Sequence, residues 1–289
     1  MRIPLPYVQI EFPTFAVVRI ELFTPTGAKI PGQATGFFIR WKDVRYFVTN
    51  RHVVTLQDFF TGAQLIPNFA GLPTKLEGTS GVQLVENLRH ASPDSDQYLE
   101  AGSFDGDTFK IELTVGGDDS VLDARWLLSV TADLAVYRLE EADGVRVTEN
   151  GLSISYGCLE GRHLNHRITP RAMSECFIVG FPELGPQFRQ MRSPVFKSAS
   201  LAVEPFLWGS QPYLVDGKTK PGMSGSPVIF KCSDCSVWHL LGVYGGRECN
   251  DPELTQAELG MVWRFREHLL PMIEEVAGAT SPQEVVQLV

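Results

Sequence analysis

Short apolar runs closed by clusters of turn-forming residues recur along almost the whole chain, and this punctuation constrains the fold more than any other feature. In the first half, residues 15–23 (FAVVRIELF) and 35–41 (TGFFIRW) read as strands. Lys42-Asp43 is a turn, after which residues 44–48 (VRYFV) pair back as a hairpin. Residues 109–115 and 124–130 also have strand character. Residues 134–139 (LAVYRL) alternate apolar and polar less cleanly, as a mostly buried strand does. The second half repeats the pattern at residues 176–181, 200–203, 213–215, 226–230 and 237–244. The 26 glycines and 19 prolines in 289 residues suit such a turn-rich β protein better than a helical bundle.

Three stretches depart from this rhythm. Residues 140–151 (EEADGVRVTENG) are polar and read as a linker, dividing the chain into residues 1–143 and 144–289. Residues 55–107 mix Pro, Gly, Asp and Ser and read as extended loops with one hairpin near residues 75–85; loops this long are usually functional or mobile. At the end, Val262, Phe265, Leu269, Leu270, Ile273 and Val276 recur at three- and four-residue steps. That spacing predicts a helix over 262–277, stopped by Gly278 and kinked or divided by Pro271. The expectation is an all-β fold of two halves followed by one C-terminal helix.

Composition narrows the class. A chain that is 44% hydrophobic and 20% charged is globular, not disordered. Its net charge of −9 gives no overall attraction to phosphate backbones, so no nucleic-acid partner is expected. No run approaches the roughly 20 apolar residues of a membrane-spanning helix, so no membrane partner is expected either. The opening MRIPLPYVQIEFPTF has neither the basic nor the unbroken apolar region of a secretory signal. A cytoplasmic protein with its five cysteines reduced is the resulting expectation.

Three segments carry chemistry-bearing residues. Residues 46–54 (YFVTNRHVV) deliver His52 just past a strand. Residues 131–136 (TADLAV) place Asp133 at the entry to a buried strand. Residues 221–228 (PGMSGSPV) hold Ser224 in a glycine-flanked turn. A serine hydroxyl needs a neighbouring imidazole to take its proton during attack. The imidazole needs a carboxylate on its other nitrogen to fix the tautomer and stabilise the imidazolium. The attacked carbonyl oxygen needs preorganised N–H donors, which glycines around the nucleophile allow the Gly222 and Ser224 amides to supply. Each segment alone is weak: a histidine at a strand end, an Asp before a strand and a Gly-x-Ser-Gly turn all have ordinary structural readings. Their joint occurrence in the order His, Asp, Ser, with Ser224 in the other half, places a site at the cleft between halves.

With these residues the chain resembles the trypsin-like (chymotrypsin-fold) serine peptidases. It is most similar to bacterial members without a zymogen propeptide and to the core of stress proteases that carry PDZ domains. Residues 37–54, 133–139 and 221–244 carry the likeness. The resemblance implies two six-stranded antiparallel β-barrels with a C-terminal α-helix, no cofactor, and a protein or peptide substrate. It assigns His52 as general base, Asp133 as orienting carboxylate, Ser224 as nucleophile, and the Gly222 and Ser224 amides as oxyanion hole.

Two departures from that family matter. Zymogen-type members have an aspartate immediately before the serine, and this chain has Met223, so that activation switch is absent. The site is then either already formed or organised by a partner or loop movement. The residue six before the nucleophile, an aspartate in trypsin, is Lys218, beside Asp216, Thr219 and Lys220. A lysine at the pocket base would favour an acidic P1 residue; the plain alternative is that Lys218 faces solvent or pairs with Asp216. Residues 240–246 (LLGVYGG), including Tyr244, Gly245 and Gly246, read as the edge along which substrate would lie, by strand addition. Arg247, just beyond, is a second candidate for an anionic group.

Cys232 and Cys235 form a C-x₂-C pair, which is half of a zinc site if Cys249 and His239 complete it, and otherwise a hairpin tip or redox-labile pair. The hairpin reading is preferred and no metal is expected. His90, His163, His166 and His268 show no ligand spacing. Beside an active endopeptidase stands a catalytically latent binding or scaffold protein, favoured by Met223 and by residues 55–107. Between them lies a protease switched on by an activating or sensor protein partner, as in some similar bacterial peptidases of stress or antiviral defence.

Overall fold

The computed structural model describes residues 16–67, 69, 71–79, 83–85, 101–102, 108–114, 121–139, 145–147, 153–155, 158–165, 169–185, 193–217, 219–232, 237–246 and 259–278. The first strands are β1 (Val17–Phe23), β2 (Ala34–Trp41) and β3 (Val44–Thr49), followed by the one-turn helix α1 (Arg51–Thr55). Lys42 and Asp43 both take positive φ, the geometry that lets a two-residue turn follow the twist of the β2–β3 hairpin. Next come β4 (Lys75–Thr79), β5 (Gln83–Val85), β6 (Ala101–Gly102) and β7 (Thr108–Glu112). β8 (Trp126–Leu128), β9 (Ala135–Arg138), β10 (Val145–Val147), β11 (Ser153–Ser155) and β12 (Leu159–Glu160) complete this part.

These strands form an eight-stranded sheet in the order β7-β4-β1-β2-β3-β9-β8, with β12 attached to β2. The sheet curls until its edges meet at one bridge, Thr114–Leu122, rather than along a continuous ladder. β12 runs parallel to β2 at Ile39 and Arg40 because β1 covers β2 only over Ala34–Phe37 and leaves that stretch of edge open. The hairpin expected at 75–85 does not form. β4 instead pairs with β1 and β7, where five residues of β1 offer it a full ladder, while β5 joins the separate sheet β10-β11-β5-β6. The expected linker is only partly described, at 145–147, and there it is strand. β10 and β11 join β5, and β12 joins β2, so residues as far as Glu160 share ladders with strands of the first half.

The second half is a closed barrel, β13-β14-β15-β18-β17-β16. Its strands are β13 (Glu175–Gly180), β14 (Val195–Leu201), β15 (Tyr213–Asp216), β16 (Pro227–Lys231), β17 (Trp238–Gly246) and β18 (Leu259–Arg264). The helix expected from 262 begins later. Val262 pairs with Tyr213 on one side and Tyr244 on the other, so β18 closes the barrel as far as Arg264. A π-turn over Phe265–Leu269 follows, and α2 (Leu270–Gly278) starts beside Pro271, which has no N–H to continue a regular ladder backward. The apolar spacing was a true signal of burial: Phe265, Leu269, Leu270, Ile273 and Val276 all pack into the core. Trp41 of β2 meets the Phe265 ring edge-on at 6.4 Å, so the chain end folds back onto the first half. Among the described residues no helix is long and apolar enough to cross a membrane.

Three apolar clusters hold the molecule. One fills the first half, one fills the second barrel, and the largest lies between them. β2 and β9 serve two clusters at once: Phe37, Ile39 and Val136, with Leu134 just before β9, face the shared core, while Phe38, Ala135 and Tyr137 face the interior of the first half. A strand buried on both faces has no polar face, which explains the continuous apolar runs at these positions. Burial pushes the Cys158 thiol up to about 11, against the lowering effect of Arg45 and Arg40, and pushes Cys176 up to about 12. Both side chains should therefore resist iodoacetamide at pH 8 in the folded protein and react after unfolding, which peptide mass mapping reads directly.

Candidate active site

β3 ends at Thr49, and α1 then turns three consecutive residues onto one loop, residues 129–133. Asn50 Nδ2 donates to the Asp133 carbonyl at 2.7 Å, and Arg51 donates to the Ser129 carbonyl at 2.8 Å. The His52 backbone N–H donates to Asp133 Oδ1 at 2.8 Å, while His52 Nδ1 meets Asp133 Oδ2 at 2.5 Å. Both carboxylate oxygens of a side chain only 5% exposed are thus committed to one histidine. The Ser129 hydroxyl accepts the Ala132 N–H at 3.0 Å, and the Ser129 N–H reaches the Leu134 carbonyl at 3.0 Å, so the loop carrying Asp133 is itself pinned. This arrangement fixes the imidazole plane and points Nε2 away from the carboxylate.

Ser224 lies in a turn that leads into β16 and is held from the other half by one fully buried residue, Thr35. The Thr35 N–H donates to the Ser224 carbonyl at 2.8 Å, and its hydroxyl donates to the Gly222 carbonyl at 2.8 Å. That hydroxyl also accepts the Phe181 N–H at 3.0 Å, and the Thr35 carbonyl accepts from Thr49 Oγ1 at 2.9 Å. Gly225 completes the approach: it has φ +83°, and a β-carbon there would stand 2.0 Å from the Thr35 carbonyl oxygen. Among the described residues the Gly222 and Ser224 N–H groups have no acceptor, and the Ser224 hydroxyl makes no hydrogen bond. The structure therefore joins His52 to Asp133 and leaves the Ser224 hydroxyl unbonded; such bonds are often long without a substrate.

A family model described as the trypsin-like peptidase domain matches residues 34–237, a span that holds all three chemistry-bearing segments. The chain belongs to the trypsin-like peptidase family. It is a trypsin-like serine protease, a hydrolase. No curated protein matches it at a significant level. Similar solved structures include the active form of the Rv3671c protease from M. tuberculosis, with 15% identity, a TM-score of 0.48, and coverage of 97% of this chain and 96% of that one. The protease Anisep from Arthrobacter nicotinovorans gives 13% identity and a TM-score of 0.49, covering 93% of this chain and 98% of its own. The thermostable serine protease AL20 from an extremophilic microorganism gives 11% identity and a TM-score of 0.48, covering 94% and 100%.

In this peptidase Met223 is 2% exposed and belongs to the core of the second barrel. Apolar packing, not an ion pair, thus anchors the residue before Ser224. Gly246 passes Ser224 closely: a β-carbon on it would stand 3.6 Å from Ser224 Oγ. Tyr244 points inward, its N–H and carbonyl engaged by Ser226 and Gly225, so its backbone is not open to a substrate strand. Thr219 Oγ1 lies 2.6 Å from the Tyr244 hydroxyl, and Gly245 packs on the Trp263 indole. Lys218 and Arg247 lie outside the described residues, as do Cys235 and Cys249. Cys232 donates its N–H to the Val237 carbonyl at 3.1 Å, closing the β16–β17 hairpin. His239 is buried with its ring 5.6 Å from Phe230, and among the described residues no cluster has a metal-binding set.

Sequence reasoning missed Thr35, Asn50 and Arg51, and also a loop beside the histidine. Burial raises the Asp58 carboxyl, but bonds from the Thr61 hydroxyl and the Thr61 and Phe60 N–H groups, with the nearby His52 charge, bring it below the usual range. The next residues, Phe59 and Phe60, lie 5.5 and 6.4 Å from the Trp263 ring of the second barrel. Thr35 offers the sharpest test of how the site is built. Thr35→Val keeps the shape but strands the Phe181 N–H and the Gly222 carbonyl, at about 1–3 kcal/mol for each buried group. Urea denaturation should show a loss of roughly 3 kcal/mol, and Thr35→Ser should restore most of it.

Proposed function

We propose that the chain is a serine endopeptidase that cleaves peptide bonds through an acyl-enzyme, with His52 as general base, Asp133 as its orienting carboxylate and Ser224 as nucleophile. The observation that carries this reading is the two-point hold of Asp133 on His52 through its backbone N–H and Nδ1, at 2.8 and 2.5 Å. A purely structural histidine has no need to present Nε2 with its tautomer so fixed. Ser224 Oγ attacks the scissile carbonyl as its proton passes to His52 Nε2. The imidazolium, stabilised by Asp133, then gives that proton to the leaving amine. The carbonyl oxygen turns negative during attack, and the Gly222 and Ser224 N–H groups, unclaimed among the described residues, are its donors. Water activated through His52 then releases the acyl group.

The proposal includes a gate: with Met223 where zymogen-type members have an aspartate, no ion-pair switch sits before Ser224, and bound substrate or an activating or sensor protein partner would organise the site instead. Such gating suits a cytoplasmic protease of stress or defence, which must be restrained until needed. A fluorophosphonate probe tests the core of the proposal. Wild type should label at Ser224, and Ser224→Ala should lose the label along with peptide turnover, by about 10⁶-fold. Undiminished turnover in Ser224→Ala would refute the assignment. Labelling of wild type that rises further when a partner is added would establish the gate.

A further inference from the structure

We infer that Tyr244 closes the primary specificity pocket, so that this peptidase cleaves after glycine, alanine or serine and rejects large or charged P1 side chains. The inference rests on the proposed role of Ser224. For attack, the scissile carbonyl carbon must sit at Ser224 Oγ with its oxygen toward the Gly222 and Ser224 amides, and the substrate backbone then passes Gly246. The P1 side chain leaves the carbon next to that carbonyl and, on this proposal, turns in beside Gly246 toward Thr219 and Gly260, which the Tyr244 ring bridges.

Tyr244 occupies that space. Its ring lies against the Gly260 backbone so closely that a β-carbon on Gly260 would stand 2.5 Å from a ring carbon and 2.8 Å from the hydroxyl oxygen. The hydroxyl reaches the opposite wall at Thr219 Oγ1, 2.6 Å away. Met223 and Val262, both buried, fill the core behind it. Tyr244 is 1% exposed, and on this proposal a P1 side chain longer than a methyl or hydroxymethyl group meets its ring. The ring is held between Gly260 and Thr219 and belongs to the apolar core of the second barrel. The outcome differs from the sequence-based expectation of an acidic P1 residue drawn to Lys218.

The experiment uses peptidyl diphenyl phosphonates of one sequence, varied only at P1 as Gly, Ala, Leu, Phe, Arg or Glu, beside a plain fluorophosphonate. Phosphonylation forms a Ser224 O–P bond and expels phenol, so its rate reads pocket fit without amide turnover. The Ala or Gly compound should inactivate wild type at least about 100-fold faster than the Leu, Phe, Arg or Glu compounds. Tyr244→Phe keeps the ring and should keep this ranking, whereas Tyr244→Ala should admit Leu or Phe and narrow the gap to about tenfold or less. Equal or faster reaction of a large or charged P1 compound in wild type overturns the inference even if Tyr244→Ala fails to fold. Failure of the plain fluorophosphonate to label Ser224 in wild type is a different result: it overturns the nucleophile assignment and the pocket with it.

Discussion

Thr35 is the point on which the two halves agree. Its N–H, hydroxyl and carbonyl are all used, and three of the four bonds cross to the loop of Ser224 or to the end of β13. All of this occurs at a residue with no solvent exposure, where an unmade bond keeps its full desolvation cost. The same strand carries Phe37 and Ile39 into the core between the halves. Apolar contact there is strong but indifferent to direction. The bonds at Thr35 supply the register that apolar contact lacks, and they fix which backbone atoms of the Ser224 turn face which atoms of β2.

The site is thus assembled from both sides of one seam. On the first side, β3 hands over to α1, whose Asn50, Arg51 and His52 grip the loop of Asp133 in succession. On the other, Met223 roots the serine turn in the second barrel, while Gly225 lets it touch β2. The return of the chain end through Phe265 and α2 buries the seam further. Stiffness in the scaffold is needed because the chemistry asks for preorganised dipoles, not for motion at the moment of reaction.

Much of this was legible in the residues, for identifiable reasons. His52, Asp133 and Ser224 stand in short segments whose local pattern of strand end, strand entry and glycine-flanked turn survives any tertiary context. The strands near them were readable because β2, β3 and β9 have long apolar runs. What could not be read depends on partners distant in sequence. Residues 262–264 have helical spacing, yet the open edges of β15 and β17 claim them as strand. Residues 75–79 find β1, not the following strand, because pairing is decided by which edge is vacant. Thr35 looks like any threonine in a strand, and Tyr244 reads from the sequence as part of a substrate-binding edge, not as a residue turned into the core. Only the placement of Gly222, Thr219 and Gly260 around them reveals their roles.

The parallel seat of β12 on β2 has a consequence for how the chain is made. Ile39 and Arg40 wait for Leu159 and Glu160, residues that leave the ribosome well after the rest of the first sheet. Until then a twice-buried strand keeps part of its edge bare, with hydrophobic neighbours on both faces. Such an edge is a template for mispairing with other chains. The crossing segment is therefore more than a tether: it is a late-arriving guard, and a nascent chain halted short of it carries its most adhesive surface uncovered.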